Sequence, residues 1–356
     1  MTLNIVVTVG PKSIDTKILS QLKDAGANDF RINLSHSSPQ LLNHYIDNMT
    51  SVGITPSLDT QGAQLRVISI SSKQTYNRGD KIYICFKMTD SNQNFDHPVI
   101  YFNHSEAASQ VDIDDILRID FSGLSILILS KVSEYLFECV VNSSGTVMPD
   151  RAADVIGKCL ILNTLTRFDR EAIQIAHDRN CLNRLYGSFI STLSDISTIR
   201  SVVPESCKII SKIETSTALT NIQDILLNSD EVLVDRGDLS REITIPMVPI
   251  ATRRVQELSR QAQVNVNIAT NILDSMMTSA VPSRAEISDI FNLLESGASG
   301  IVLAAEVAIG DNPVSSVSLL RHLSQIYESD SRGLRGIAKV EKPRIDLIGH
   351  ELASWL

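Results

Sequence analysis

Strand-like apolar runs alternate with amphipathic helical patterns along most of this sequence, and that alternation limits the possible folds more than any other feature. Three strand patterns, at Asn4–Val9, 30–34 and 55–59, are separated by two helical patterns. The alternation stops near residue 66 and resumes after residue 157 with five further strands, at 184–189, 208–213, 231–235, 264–269 and 300–304. Strands connected through helices pair in parallel, and eight such units close into a barrel. The pattern therefore predicts an α/β chain whose main domain is a (β/α)8 TIM barrel.

Short strands with turn signals fill the interval between the third and fourth barrel strands. Examples are the run at 81–85 and the run that ends at the turn residues 142–145. Short strand patterns separated by turn residues are typical of antiparallel strands and hairpins, so we predict a small all-β lid domain inserted after the third strand. The predicted domains are a catalytic barrel at 1–65 and 158–328, the lid at 66–157, and a C-terminal tail at 329–356 that is too short for a further core.

The charge balance and the cysteines narrow the function classes. The chain has 356 residues and a formal net charge of -9 with no basic cluster, which argues against a nucleic-acid surface. Its five cysteines are scattered without a C-x-x-C pair, which indicates buried thiols in a reducing compartment and neither a disulfide framework nor a zinc site. No leader pattern precedes the first strand, and no apolar stretch is long enough to span a bilayer. We therefore predict a cytoplasmic protein with no nucleic-acid or membrane partner.

Two neighbouring strand patterns end in charge. The strand at 208–213 carries Lys212 and is followed by Glu214, and the next strand pattern leads to Asp238. A strand buried on both faces avoids unpaired charge, and charges placed only at the carboxyl ends of such strands are where a barrel keeps its chemistry. Glu214 and Asp238 can converge on one hard cation, and Lys212 can face a bound phosphate. For either segment alone, solvated strand-end charges or a simple ion pair is an equally good interpretation.

Polar side chains follow the other predicted strands as well. The full set at the carboxyl ends is Thr8, Arg31, Asn33, Ser35, Asp59, Thr60, Ser188, Lys212, Glu214, Asp238, Thr270 and Glu306. Two carboxylates suit a divalent metal, two cations suit a phosphoryl group, and the neutral oxygens suit a monovalent cation. Phosphoryl transfer needs positioning and charge neutralisation, and this set supplies both. A sugar-phosphate or 2-oxo-acid aldolase barrel would use much of the same set and stays an alternative at this point.

An ordered series of short motifs runs along most of the chain. The motifs are TVGPKS at 8–13, FRINLSH at 30–36, LDTQG at 58–62, KIISKIE at 208–214, RGDL at 236–239, ATNILDSM at 269–276, SRAE at 283–286 and GDNP at 310–313. Each motif is weak alone, but in order and spacing the set resembles the pyruvate kinase family. The resemblance implies a Mg2+-dependent phosphotransferase that moves phosphate from phosphoenolpyruvate to ADP, giving pyruvate and ATP.

The resemblance also assigns roles to single residues. Glu214 and Asp238 match the ligands of the essential Mg2+ or Mn2+. The catalytic positions are Lys212, which stabilises the phosphoryl group in flight, Arg31, which helps it, and Thr270, which lies near the enol carbon that is protonated. The substrate-binding positions are Arg236, Gly237, Asp238, Thr270 and Ser188, with the backbone of the first three holding the substrate carboxylate. The potassium ligands match Asn33, Ser35, Asp59 and Thr60, and the nucleotide-binding positions are Pro11, His36 and Arg66.

Several positions depart from the family's motifs. Its Ser-Gly-Glu-Thr-Ala-Lys segment reads AAEVAI at 304–309, which removes a serine hydroxyl implicated in proton delivery and a basic residue. The loop after LDT carries Gln64, where an acid goes with potassium dependence and a lysine with independence, so potassium use stays open. We expect a short form without the family's C-terminal regulatory domain. A homodimer that forms through the barrel is compatible with such a chain. The alternatives are a specialised paralogue that acts on another enolpyruvyl or 2-oxo-acid substrate with the same metal site, and a catalytically impaired homologue.

Overall fold

The computed structural model describes residues 2–71, 74–87, 95–120, 123–158 and 160–331. Its chain divides into two units, one made of Met1–Gln61 with Arg167–Leu356 and the other of Gly62–Thr166. The predicted tail at 329–356 lies outside the described residues from position 332 onwards, and Cys159 lies outside them as well. The other cysteines, Cys85, Cys139, Cys181 and Cys207, are buried free thiols.

The first stretch of the chain contributes three strands and two helices to the first unit. In chain order these are β1 (Asn4–Val9), α1 (Thr16–Ala25), β2 (Asp29–Asn33), α2 (Pro39–Ser51) and β3 (Pro56–Asp59). Helix α1 begins where the Asp15 carboxylate accepts a hydrogen bond from the Lys17 amide at 2.9 Å. It ends at Gly26, whose φ of 112° is a value that glycine adopts without strain. Short caps of this kind return the chain to the next strand within a few residues.

The second unit is built from short strands. Within the described residues they are β4 (Val67–Ile70), β5 (Thr75–Tyr76), β6 (Lys81–Cys85), β7 (Val99–Phe102), β8 (Ile116–Ile119), β9 (Leu124–Lys131), β10 (Leu136–Ser143), β11 (Gly145–Thr146) and β12 (Ala153–Val155). One sheet has the order β12-β8-β9-β10-β6-β7-β4, and β11 pairs separately with β5. Apolar side chains such as Ile84, Phe102 and Phe137 are buried together and give this unit its own core.

The chain returns to the first unit at Arg167 and alternates strands with helices again. The elements are α3 (Arg167–Asp178), β13 (Arg184–Gly187), α4 (Leu193–Arg200), β14 (Lys208–Ile213), α5 (Ser216–Thr220), α6 (Ile222–Asn228), β15 (Glu231–Asp235), α7 (Arg236–Glu242), α8 (Val248–Ala262), β16 (Asn265–Ala269), α9 (Arg284–Glu295), β17 (Gly300–Leu303), α10 (Ala305–Ala308) and α11 (Pro313–Ser331). None of the helices in the described ranges combines the length and the apolar character needed to cross a bilayer.

Eight parallel strands close the barrel of the first unit, in the order β1-β17-β16-β15-β14-β13-β3-β2. Strand β1 completes the closure because it pairs with β2 on one side and β17 on the other. A layer of buried side chains fills the interior: Val6, Tyr186, Ile210, Leu233, Ala269 and Val302. The predicted (β/α)8 barrel is confirmed. Since all eight strands run in parallel, their carboxyl ends share one rim, which is where barrels of this kind assemble their sites.

Buried charges also lie near the amino ends of the strands. Asp29 accepts hydrogen bonds from the hydroxyls of Tyr186 at 2.6 Å and Ser57 at 2.5 Å, and Arg184 Nε lies 2.7 Å from its carboxylate. Arg184 also pairs with Glu231 at 2.8 Å. Opposite charge and hydrogen bonds make this burial tolerable. The barrel therefore carries paired charge at the amino ends of its strands as well as at the carboxyl ends.

Candidate active site

Lys212 and Glu214 lie at the carboxyl end of β14 and are buried, with exposed fractions of 6% and 0%. The Lys212 Nζ lies close to three carboxylates, at 2.7 Å from Glu214, 3.4 Å from Asp59 and 3.5 Å from Asp235. These acids come from the ends of three strands that meet at one rim, so they surround a single ammonium group. The interpretation as solvated strand-end charges is wrong, and the ion pair is one part of a larger buried cluster.

Burial and charge act on these two groups in opposite directions. Burial alone would lower the pKa of Lys212, but Asp59, Glu214 and Asp235 outweigh it and raise that pKa above its ordinary value. Burial raises the pKa of Glu214 to about 8 against the opposing charge of Lys212, with Asp238 and Asp235 adding to the rise. The lysine is therefore held charged, whereas the glutamate is a carboxylate that a further nearby cation would stabilise.

The second oxygen of Glu214 is held by a strained piece of backbone. The Phe189 amide donates to Glu214 Oε2 at 2.6 Å, and Phe189 has a φ of 57°. A bulky residue seldom occupies this left-handed region, and strain of this kind persists where the surroundings over-determine it, often at functional sites. The end of β13 thus fixes one carboxylate oxygen and leaves Oε1 facing Lys212.

Arg31 is the second buried cation of this rim. Its Nε and Nη2 donate to Thr8 Oγ1 at 3.1 and 2.9 Å, and its Nη1 lies 3.1 Å from Asp59. The guanidinium carbon is 5.3 Å from the centre of the Tyr186 ring, within the range of a cation–π contact. The two cations predicted for a phosphoryl group are therefore both fixed, and Asp59 contacts each of them.

The chain turns from β15 directly into helix α7, so Gly237 and Asp238 lie in the first helical turn and not at an extended strand end. Asp235 caps this helix, and its Oδ1 accepts hydrogen bonds from the Gly237 amide at 3.2 Å and the Thr270 hydroxyl at 2.6 Å. A Cβ at position 237 would lie 2.9 Å from Thr270 Cγ2, so the close approach requires glycine. Sequence reasoning missed Asp235, although it is an acid at the carboxyl end of a barrel strand and the rule applied to Glu214 could have found it.

Three carboxylates form a candidate metal site. Glu214, Asp235 and Asp238 each offer one oxygen, and these atoms all lie within 4.8 Å of one another. Mg2+ and Mn2+ are bound through oxygen ligands, and carboxylates are their usual protein partners. A cation would also relieve the unfavourable ionised form of Glu214. These oxygen donors therefore fit a hard divalent ion. Asp235 lies beside Glu214 and Asp238, the two ligands predicted from the sequence.

Arg236 and Thr270 are linked through the backbone. The Arg236 guanidinium donates from Nε and Nη2 to the Thr270 carbonyl at 3.0 and 2.7 Å, and Nη2 also reaches the Asn271 carbonyl at 2.8 Å. Its Nη1 pairs with Asp289 at 2.7 Å. Thr270 has a φ of 73°, an outlier for a β-branched residue. The Arg236 side chain thus holds the strained end of β16 and positions the Thr270 hydroxyl.

Ser188 and the residues matched to potassium ligands lie at the ends of β2, β3 and β13. The Ser188 hydroxyl lies 3.2 Å from Lys212 Nζ and 2.7 Å from the Thr60 carbonyl. Asn33 is paired in register with Asp59 across β2 and β3. The Asn33 side-chain oxygen accepts from the Ser35 amide at 2.9 Å. The pairing brings Asn33 and Asp59 together at one rim.

The residues matched to nucleotide contacts do not belong to one unit. Pro11 follows β1, and His36 ends a short 3-10 helix at Leu34–His36, and both are exposed. Arg66 belongs to the second unit, where its Nη1 donates to the Asp150 carbonyl at 3.0 Å. This predicted set stays a prediction.

Glu306 belongs to the predicted polar set but not to the cluster. It lies on α10, and its Oε1 accepts from the Leu273 amide at 3.1 Å. Burial raises the pKa of this carboxyl. Glu306 therefore joins α10 to the chain after β16 and serves the rim as a structural contact.

Fold and site together define a class of protein, a (β/α)8 barrel with two buried cations and a carboxylate cluster at the carboxyl ends of its strands. A family model described as the barrel domain of pyruvate kinase matches residues 2–317. The chain therefore belongs to the pyruvate kinase family, and the resemblance of its motifs to that family is confirmed.

Individual relatives agree with this assignment. Pyruvate kinase 1 of Saccharomyces cerevisiae is 29% identical over 336 residues, which cover 91% of this chain and 67% of that protein. Pyruvate kinase of Borreliella burgdorferi is 28% identical over 330 residues, which cover 91% of this chain and 68% of that protein. The crystal structure of Cryptosporidium parvum pyruvate kinase matches with a TM-score of 0.81 at 25% identity, over 92% of this chain and 71% of that one.

Proposed function

We propose that this chain transfers the phosphoryl group of phosphoenolpyruvate to ADP, giving pyruvate and ATP. The observation that carries the proposal is the buried Lys212, which lies 2.7 Å from Glu214 beside a carboxylate cluster that fits a divalent cation. Membership of the pyruvate kinase family supports the same reaction. In this reaction the bond from phosphorus to the enol oxygen breaks, a bond to a terminal oxygen of ADP forms, and the enolate carbon takes up a proton.

The carboxylate cluster would hold Mg2+ or Mn2+. Glu214 and Asp238 are the proposed ligands, and Asp235 stands within reach of the same position. When bound, the ion would neutralise negative charge on the substrate oxygens, which is the main requirement of phosphoryl transfer. Because burial disfavours the ionised form of Glu214, the cation and this carboxylate stabilise each other.

Lys212 and Arg31 supply the fixed positive charge for the transferred group. Lys212 is held by three carboxylates and Arg31 by Thr8 and Asp59, so neither needs to reorganise as charge develops. Preorganised donors of this kind in a water-excluded site are worth far more than the same groups in water. Ser188, in contact with Lys212 Nζ, fixes the lysine further.

Helix α7 and the end of β16 would receive the rest of the substrate. We assign the substrate carboxylate to the Gly237 and Asp238 amides with the Thr270 hydroxyl, because these donors lie beside the metal cluster. Thr270 would also lie near the carbon that is protonated. Arg236 acts through Thr270, since its guanidinium is bound to the Thr270 carbonyl.

A monovalent cation and the nucleotide complete the proposal. Potassium is assigned to Asn33, Ser35, Asp59 and Thr60, and the paired register of Asn33 with Asp59 supports this assignment. The nucleotide phosphates are assigned to Pro11, His36 and Arg66 on the family resemblance.

A coupled assay tests the proposed reaction. Purified protein with phosphoenolpyruvate, ADP and Mg2+ is expected to form pyruvate, followed through lactate dehydrogenase, and to stop when EDTA removes the metal. Parallel reactions with and without K+ show whether the activity requires potassium, as the assignment of a potassium site predicts. Pyruvate formation that requires ADP supports the proposal, and no pyruvate in any combination contradicts it.

One observation favours a second candidate, the specialised paralogue. Ile309 is 55% exposed and apolar where the family motif carries lysine, and Ala304 stands at its serine position. Thermal stabilisation separates the two candidates because a bound ligand raises the melting temperature. Stabilisation by oxalate with Mg2+ but by no nucleotide would favour the paralogue, whereas stabilisation by ADP as well would favour the kinase.

A further inference from the structure

The Asp235 carboxylate occupies the donors that a substrate carboxylate would need. Its Oδ1 accepts from the Thr270 hydroxyl at 2.6 Å and from the Gly237 amide at 3.2 Å. Its Oδ2 lies 3.5 Å from Lys212 Nζ. A hydroxyl, a backbone amide and an ammonium group are the partners expected for a bound carboxylate, and here a side chain of the protein itself engages all three.

Helix capping alone does not account for this arrangement. A cap needs one acceptor for an amide of the first turn, and the Gly237 contact fulfils that role. The Thr270 hydrogen bond is shorter than the capping bond, and Thr270 is held in its strained backbone conformation by Arg236. The contact with Lys212 joins Asp235 to Glu214 and Asp59, the other two carboxylates around the same ammonium group. The carboxylate is thus engaged from three separate strand ends.

Because Asp235 carries a negative charge, it competes with a ligand carboxylate for the Thr270 hydroxyl, the Gly237 amide and Lys212. Hydrogen bonds from the Thr270 hydroxyl and the Gly237 amide, with the Lys212 ammonium at 3.5 Å, stabilise the negative charge of the Asp235 carboxylate in this position. A second carboxylate brought to the same donors would meet like charge at close range, which is strongly unfavourable in a site shielded from water.

We propose that Asp235 is an internal competitor for the substrate carboxylate and sets a weak affinity of this site for phosphoenolpyruvate. The inference rests on the proposed function, because it takes the Gly237 amide and Thr270 hydroxyl as the carboxylate donors. Binding of substrate then requires Asp235 to release Thr270 and turn towards Lys212 or a bound cation. Asp235 is therefore a specificity-determining residue, since ligands that lack a carboxylate meet no such competition.

Oxalate binding tests the proposal without relying on turnover. Oxalate is a small planar dicarboxylate, and its affinity is measured by calorimetry in saturating Mn2+ for the wild type, Asp235→Ser and Asp235→Asn. Serine keeps a capping oxygen for the Gly237 amide, and asparagine keeps the shape without the charge. Both variants are expected to bind oxalate about tenfold more tightly or better, because the like charge is gone. The matched control is Asp15→Ser, which alters the cap of α1 in the same way and is expected to leave the oxalate affinity unchanged.

The outcomes separate this inference from the proposed function. Unchanged or weaker oxalate binding in both Asp235 variants, with Mn2+ affinity retained, would overturn it. Loss of Mn2+ binding in both variants, measured by a separate titration, would also overturn it, because Asp235 would then be an essential metal ligand. If the wild type forms no pyruvate but the variants bind oxalate more tightly, the inference stands while the kinase reaction fails. If turnover is measurable, the KM for phosphoenolpyruvate is expected to fall in Asp235→Ser.

Discussion

Replacing Lys212 with methionine is expected to lower the turnover number by about 10²–10³-fold at saturating Mg2+, phosphoenolpyruvate and ADP, the usual loss when one preorganised transition-state contact is removed. The physical reason is that Lys212 is a buried ammonium whose charge is maintained by Asp59, Glu214 and Asp235. Methionine has a similar length but no charge, so it removes the stabilisation of the transferred phosphoryl group. Steady-state kinetics with the coupled assay measure the effect.

The same strand offers a matched control for this variant. Lys208 begins β14 at the opposite end of the barrel, where its side chain is exposed, and Lys208→Met is expected to retain turnover close to that of the wild type. Removing Lys212 also leaves buried carboxylates without their cation, which typically costs about 3–5 kcal/mol of stability. Circular dichroism at the assay temperature therefore checks that Lys212→Met is folded. A folded Lys212→Met protein with unchanged turnover would reject the proposed role of this lysine.

Replacing Glu214 with glutamine is expected to weaken Mn2+ binding by about 100-fold or more, since even the loss of an outer partner of a metal ligand costs about 10–100-fold in affinity. Glu214 is the most deeply buried carboxylate of the cluster, and one of its oxygens is fixed by the Phe189 amide. Calorimetric titration with Mn2+ measures the change. Glu306→Gln is the matched control, because Glu306 is an equally buried glutamate outside the cluster and its substitution leaves the three ligand oxygens in place. Equal Mn2+ affinities in Glu214→Gln and the wild type would remove Glu214 from the metal site.

As the pH rises and Glu214 ionises, the stability of the metal-free protein is expected to fall, whereas metal binding is expected to strengthen. Burial raises the folded-state pKa of Glu214 to about 8, so its contribution to stability is present below the ordinary pKa of glutamate and is lost as the pH rises towards 8. Glutamine does not ionise, so Glu214→Gln does not lose stability at this position as the pH rises. In EDTA, the melting temperature of the variant relative to the wild type is therefore expected to rise from pH 5 to pH 8, and a difference independent of pH would contradict the raised pKa.

The barrel and the core of the candidate site could be predicted from the sequence because both leave local signals. Strands and helices alternate with clear hydrophobic periods, and Lys212 and Glu214 stand out as charges next to an apolar strand. The turn from β15 into α7 leaves no such signal, since the helix follows its strand without a loop and carries Gly237 in its first turn. The sequence pattern therefore predicts Asp238 at a strand end, whereas the structure places it in the first turn of α7.

The charged network at the amino ends of the strands could not be predicted from the sequence. Asp29, Arg184 and Glu231 belong to three strands far apart along the chain, and each taken alone reads as a solvated residue at the start of a strand. Only closure of the barrel brings Arg184 within 2.7 Å of Asp29 and 2.8 Å of Glu231. Burial of a charged pair depends on tertiary contacts, so the sequence alone does not reveal which acidic and basic side chains come together.

Phosphorus NMR of a mixture with protein in excess over phosphoenolpyruvate follows the transferred group itself. With ADP and Mg2+ present, the phosphoenolpyruvate resonance is expected to disappear while the resonances of ATP grow in equal amount. Omitting the metal, or using Lys212→Met, is expected to leave the phosphoenolpyruvate resonance in place over the same interval. An unchanged phosphoenolpyruvate resonance in the complete mixture, or its conversion to inorganic phosphate without ATP, would contradict the assignment of this barrel as a phosphoenolpyruvate-to-ADP phosphotransferase.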